Sequence, residues 1–210
     1  MMLAAAAAGC VRVPRVAAGL PADAAVGQVM SAEAFDHALL SRAIFEETNR
    51  IRVAHGKMPL VHLAALDAAA DEQATYMALS LAPGHSNPVP GLRNAAQRVA
   101  HQGVEVQSVG ENAIMMPARR PPDAPDRDYT YGEYAAYLLV GWMNSPEHRD
   151  TLLAGKFTQL GCAARLSHGV AEGDLRVFAI QVFLLPQPQP DQSLVHPGER
   201  KRLASPPPLQ

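Results

Sequence analysis

The sequence of 210 residues contains only two cysteines, Cys10 and Cys162, so it cannot be a scaffold held together by several disulfides. It also has no excess of positive charge, because its formal net charge is −2, and this gives no reason to expect a nucleic-acid partner. A P-loop, a dinucleotide-binding glycine pattern and an internal repeat are all missing.

A long hydrophobic run is missing as well. The apolar segment M-M-L-A-A-A-A-A-G-C, from Met1 to Cys10, is too short to span a bilayer and is typical of the apolar part of an export signal. Its ending, Ala-Ala-Gly-Cys, resembles a bacterial lipobox, in which Cys10 would be lipidated and would attach the protein to a membrane. The alternative is a disordered alanine-rich leader. If Cys10 is lipidated, no intrachain disulfide is possible, and the stability of the chain must come from packing. We expect Cys162 to behave as a small buried apolar residue.

The remaining composition predicts one globular domain with a leader and a tail. Apolar residues make up 48% of the chain, which is enough for a sizeable core. Residues 1–30 are assigned to the leader and a linker, and residues 31–185 to the domain. Residues 186–210, with P-Q-P-Q-P and P-P-P-L-Q, are predicted to be a disordered proline-rich tail. We expect a monomer.

Hydrophobic spacing predicts four helices. The ranges are Ser31–His55, ended by Gly56; Leu63–Leu81, broken by Pro83-Gly84; Leu92–Gln102; and Tyr131–Met143, with Trp142 in the core. The segment from Met116 to Tyr131 is predicted to be a long exposed loop.

A further short helix is predicted in the stretch W-M-N-S-P-E-H-R-D-T-L-L-A-G. Ser145 suits the N-cap, Pro146 the first helical position, and Gly155 a left-handed end. His148 falls in the first turn, where the helix dipole disfavours imidazolium. A neutral imidazole there could accept a proton or bind a metal.

Two strands are predicted near the end of the domain, after a weakly alternating segment at Val104–Ile114. Leu160–Leu166 alternates as a half-buried strand does, whereas Leu175–Leu185 is apolar on both faces apart from Arg176 and Gln181. We expect Leu175–Leu185 to be an interior strand that pairs antiparallel with Leu160–Leu166. A strand covered on both faces needs layers on both sides, which predicts an α+β fold, a three-layer α-β-α sandwich.

Five segments in this order resemble the CAP superfamily, or SCP domain, of cysteine-rich secretory, antigen 5 and pathogenesis-related proteins. The segments are T-N-R-I-R-V-A-H-G-K-M-P-L, L-D-A-A-A-D-E-Q-A, G-H-S-N-P, G-E-N-A, and G-W-M-N-S-P-E-H-R-D-T-L-L with F-T-Q-L-G-C. The sequence is most similar to the bacterial, disulfide-free branch. The resemblance implies the same α-β-α sandwich that the hydrophobic pattern indicates.

The resemblance also implies a site. In the family, a central cleft holds two histidines, which in some members bind zinc or another divalent cation, beside acidic residues. His85 matches the first histidine, His148 the second, and Glu111 the glutamate of the G-E-N motif. The second glutamate of many eukaryotic members has no counterpart here, and Glu133 should not be substituted for it. The other histidines are expected to be surface or packing residues: His37, His55, His62, His101, His168 and His196.

Two functions follow as hypotheses. The first is an exported, extracytoplasmic binding module at the bacterial cell envelope, with a lipid, a peptide or a wall component as ligand of the His85/Glu111/His148 cleft. The alternative is a metal-dependent, protease-like hydrolase in which Glu111 would be the catalytic residue, acting with a water activated at the two histidines. Fold alone does not decide between them.

Overall fold

The computed structural model of the protein describes residues 26–121, 127–168 and 174–187. The predictions for Cys10, His196 and most of the leader and tail lie outside these residues, as does the middle of the predicted loop. The chain order is α1 (His37–Ala54), β1 (Val61–His62), α2 (Ala64–Ser80), α3 (Ala95–His101), β2 (Val106–Pro117), α4 (Tyr131–Asn144), α5 (Pro146–Leu153), β3 (Gln159–His168) and β4 (Leu175–Pro186). No helix in these ranges is long and apolar enough to cross a membrane.

The four strands form one sheet in the order β1-β3-β4-β2. β4 runs antiparallel to both of its neighbours, and every β4 residue from 177 to 184 is buried. This confirms the predicted interior strand and its pairing with the strand at Leu160–Leu166. β3 is more buried than its alternation predicts, because residues 160–164 are covered on both faces.

Helices cover both faces of the sheet. On one face, α1, α4 and α5 pack on a core that includes Trp142, Cys162 and Phe183. On the other face, α2 and α3 pack on Phe178 and Ile180 of β4. The three-layer α-β-α sandwich is thereby confirmed, as are the buried positions of Trp142 and Cys162.

Gly161 of β3 lies at the closest approach between the sheet and α2. A Cβ atom at this position would lie 2.3 Å from the backbone carbon of Leu66 and from the backbone nitrogen of Asp67. Only glycine lets α2 approach this closely, and the Asp67 carboxylate then accepts a hydrogen bond of 2.8 Å from the Cys162 amide. β3 and α2 are held together at this point.

Several predicted element ends are wrong for local reasons. α1 begins at His37 rather than at Ser31, because the Asp36 side chain caps Leu39 N–H at 2.9 Å. Ser31 instead accepts from Glu33 N–H in a separate turn. At the other end, Gly56 has a φ of 67°, the left-handed conformation that commonly follows a helix, and it ends α1 as predicted.

The predicted left-handed end of the short helix is also wrong, and the weakly alternating segment at Val104–Ile114 belongs to a longer strand. α5 ends at Leu153 without a left-handed Gly155, and the Ser145 side chain makes no capping hydrogen bond. Glu111 lies in the middle of β2, which continues to Pro117. β1 is too short to produce a periodic pattern, and the sequence did not predict it.

Candidate functional site

His85 lies in the loop after α2, and the loop is anchored from inside the protein. Gln73 of α2 is fully buried, and its amide nitrogen donates to the carbonyl oxygens of Gly84 at 2.7 Å and Ser86 at 3.4 Å. These two carbonyls flank His85. The buried amide therefore fixes the backbone from which the exposed imidazole projects.

Glu111 connects this loop to α3. Its Oε1 accepts a hydrogen bond of 2.9 Å from His85 Nδ1, and its Oε2 accepts from Arg98 of α3. Arg98 is fully buried and also donates to Leu92 O at 2.8 Å. The Glu111 side chain is only 5% exposed, whereas that of His85 is 56% exposed. Both carboxylate oxygens are therefore occupied, and the imidazole is held with Nδ1 inward.

The electrostatic effects on His85 follow from these contacts. The hydrogen bond from Nδ1 to Glu111 raises the pKa of His85, and the Glu111 charge adds to this, while partial burial and the Arg98 charge oppose it. A proton on Nδ1 is fixed by the carboxylate, so Nε2 is the nitrogen left for a ligand. His85 can therefore donate from Nε2 when it is protonated and accept there when it is neutral.

His148 is the third residue of α5 and is half-buried. Partial burial lowers its pKa, and the charge of His85 lowers it further, while Glu147 opposes the effect. We therefore expect His148 to be neutral at a pH at which His85 still carries its proton.

Adjacent residues of β2 reach the two histidines. Neighbouring side chains of a strand point to opposite faces, so Glu111 contacts His85 on the α2–α3 side. Asn112 lies on the α4–α5 side, where its amide nitrogen donates to His148 O at 3.0 Å. The structure thus brings Glu111 together with His85 by direct contact, and it connects His148 to the same strand through the backbone.

The side chains of this site could hold a divalent cation through only a small number of protein ligands. Within residues 26–121, 127–168 and 174–187, no three His, Cys, Asp or Glu side chains are close enough to hold a metal ion. Glu111 is almost fully buried, and each of its oxygens already accepts a hydrogen bond, one from His85 and one from Arg98. Two imidazoles backed by a carboxylate remain, an arrangement in which the carboxylate orients a ligating histidine. A three-ligand zinc site does not fit.

Glu133 and two of the other histidines, His101 and His37, have contacts elsewhere. Glu133 forms the capping box of α4 with Thr130 and binds Arg120 and Arg127, so it is not a substitute for the missing glutamate. His101 pairs with Glu72 at 2.6 Å on the surface, and His37 binds a backbone carbonyl.

Sequence reasoning missed Arg98, Gln73 and Asn112. The only local signal was Asn112 itself, which follows Glu111 in a segment that alternates as a strand. Two polar residues in succession on such a strand must face opposite layers. The partners of Arg98 and Gln73 could not be read from spacing.

The comparisons with known proteins agree with this architecture. An extracellular protein of Bacillus anthracis that contains an SCP domain is 25% identical, with a TM-score of 0.51; the match covers 70% of this chain and 41% of that protein. The chain thus spans about two fifths of the length of that protein. An outer surface protein of Borrelia burgdorferi is 14% identical, with a TM-score of 0.51; the match covers 73% of this chain and 97% of that protein, and it shows the fold alone.

No curated protein matches the chain. Because residues 45–183 match the model of the cysteine-rich secretory protein (CAP) family, and this is more than half of the sequence, the chain belongs to that family.

Proposed function

We propose that the protein is an extracytoplasmic binding module whose cleft, formed by His85, Glu111 and His148, takes a ligand of the cell envelope. The observation that supports this most strongly is that both Glu111 oxygens are occupied, one by His85 and one by Arg98. The carboxylate holds a ligand-binding imidazole in place, and because its side chain is almost fully buried between two donors, it is poorly placed to take a proton from a water. This geometry disfavours the hydrolase hypothesis.

The ligand class is a lipid, a peptide or a wall component. The exposed His85 ring, whose Nε2 donates when it is protonated, and the His148 ring, whose lowered pKa favours the neutral form, suit a polar group such as a headgroup, a peptide bond or a sugar–peptide junction. A zinc or other divalent ion, if bound, would be held by the two histidines. It would add positive charge to the cleft and polarise a ligand oxygen.

The first test measures binding by the full chain. We expect it to sediment with one of three probes: peptidoglycan sacculi, anionic phospholipid vesicles, or sacculi stripped of their peptides. His85→Ala and His148→Ala should each weaken binding at least tenfold, because each removes one of the two ligand-binding rings. His101→Ala is the matched control, since His101 is also an exposed histidine paired with a glutamate.

The same variants test the cation. Zinc titrated into the full chain should bind more weakly as the pH falls through a value above about 6.5, because protons compete for His85, whose pKa is raised. Binding of sacculi and vesicles that is identical in all variants would contradict the proposed cleft. Zinc binding that is unchanged in His85→Ala would contradict the proposed cation site but not the proposed binding of an envelope ligand.

The location is part of the proposal. The similar protein of Bacillus anthracis is described as extracellular, and Met1–Cys10 resembles a lipoprotein leader. We expect the chain to be found in the membrane fraction of a bacterial host that exports it. Cys10→Ser should release it into the soluble extracytoplasmic fraction, because the lipid acceptor is lost. Recovery of the unprocessed chain from the cytoplasm would contradict this.

A further inference from the structure

α5, the helix that carries His148, has little stability of its own. It has only eight residues, Pro146–Leu153, and no side-chain hydrogen bond caps its start. Helices of this length are marginal in water, so tertiary contacts must fix its position. Buried polar side chains from other elements contact both of its ends.

The start of α5 is held through a chain of buried hydrogen bonds. Asn112 donates to His148 O at 3.0 Å and also to Gln181 Oε1 at 3.1 Å. Gln181 Nε2 then donates to Thr48 Oγ1 at 2.6 Å, and Thr48 donates to Ile44 O at 2.6 Å. We call Thr48, Gln181 and Asn112 the buried relay. All three residues are fully buried, and the relay runs from α5 through β2 and β4 to α1.

The end of α5 is held by α1 as well, from a residue one turn beyond Thr48. Arg52 of α1 donates from Nη1 to Leu152 O at 2.6 Å and to Ala154 O at 3.1 Å. Its side chain is buried, and in the described part of the chain it binds carbonyl oxygens and no carboxylate. A cation at the C-terminal end of a helix is favourable. Thr48 and Arg52, four residues apart on α1, thus reach the two ends of α5.

Stability alone does not require this arrangement. Gln181 is the only polar side chain in the buried stretch of β4, and apolar residues of similar shape in place of such a buried pair are often nearly neutral. What an apolar pair would lose is the directional contact with His148 O. We propose that Thr48, Gln181 and Asn112 are positioning residues that fix His148 in the cleft, with Arg52 fixing the other end of α5. This inference rests on the proposed function only for the role of His148 itself.

The test uses the free full chain and needs no ligand. Hydrogen exchange of the α5 amides and the carbonyl carbon-13 shift of His148 are measured in Thr48→Val and Thr48→Ser. Valine keeps the shape and removes the hydroxyl, so it leaves Gln181 Nε2 without its acceptor; serine keeps the hydroxyl. We expect exchange in α5 to rise about 2- to 10-fold and the His148 shift to move in Thr48→Val, with both near the original values in Thr48→Ser. The α2 amides serve as an internal reference.

A packing role for Thr48 predicts the reverse order, because serine leaves a methyl-sized gap and valine does not. An unperturbed α5 in Thr48→Val, or a larger effect in Thr48→Ser, would overturn the inference. Asn112→Leu, which removes the contact with His148 O directly, should perturb α5 more than either, and an unchanged His148 carbonyl shift in this variant would also overturn it. Because no ligand enters these measurements, their failure leaves the proposed binding function untouched. A failure of the sedimentation test would likewise leave these measurements valid.

Discussion

Replacing Arg98 with methionine is expected to lower the free energy of unfolding by about 3 kcal/mol, the lower end of the range for removing one partner of a buried ion pair. Arg98 is fully buried, and its partner Glu111 is almost so. Methionine fills most of the volume but leaves one Glu111 oxygen without its charged donor. The cost is limited because His85 still donates to the other oxygen. Urea unfolding measures the change.

A double-mutant cycle separates the pair from the packing. Glu111→Gln in the Arg98→Met background removes the uncompensated charge, so part of the loss should be recovered and the two changes should not be additive. Arg93→Met, an exposed arginine in the segment just before α3, is the matched control and should stay within about 0.5 kcal/mol. Strict additivity of Arg98→Met and Glu111→Gln would show that the ion pair contributes nothing.

Ile180→Ala is expected to cost about 2–5 kcal/mol, the range for truncating a large aliphatic side chain in a core. Ile180 is fully buried in the α2–α3 layer. Its cross-strand neighbours are Ala113 on β2 and Ala163 on β3, so the variant would place three alanines in a row across the sheet. No neighbouring strand side chain is long enough to fill the gap, which favours the upper half of the range.

The control for Ile180→Ala is Val140→Ala on α4. Val140 is 52% exposed, so its truncation removes little buried area and should change the free energy of unfolding by no more than about 0.5 kcal/mol. Similar small losses for both variants would mean that Ile180 is not buried in the core and that β4 is not covered on both faces.

The predictions that succeeded rest on apolar periodicity and on ordered family motifs. Leu175–Leu185 could be assigned to the interior because apolar residues on both faces leave few alternatives. His85, Glu111 and His148 were named from the resemblance; the structure brings the first two into direct contact, and the functional role of all three stays a prediction. Helix ends were less accurate, since Asp36 and Ser31 are both good caps and only the tertiary structure selects one.

What could not be predicted is how polar side chains pair across the fold. Gln181 was visible as the exception in an apolar strand, but its partners Asn112 and Thr48 lie 69 and 133 residues away. Arg52 and Arg98 look like ordinary surface residues of helices, and their burial depends on carbonyl and carboxylate groups that the fold brings to them. Spacing contains no information about such pairs.

The segments that carry His85 and His148 are anchored by buried arginines with different kinds of partner. On the His85 side, Arg98 is held against a single side chain, the carboxylate of Glu111. On the His148 side, Arg52 is held against backbone carbonyls. One substitution at Glu111 can therefore remove the charged partner of Arg98, whereas no side-chain substitution removes the carbonyl groups that hold Arg52.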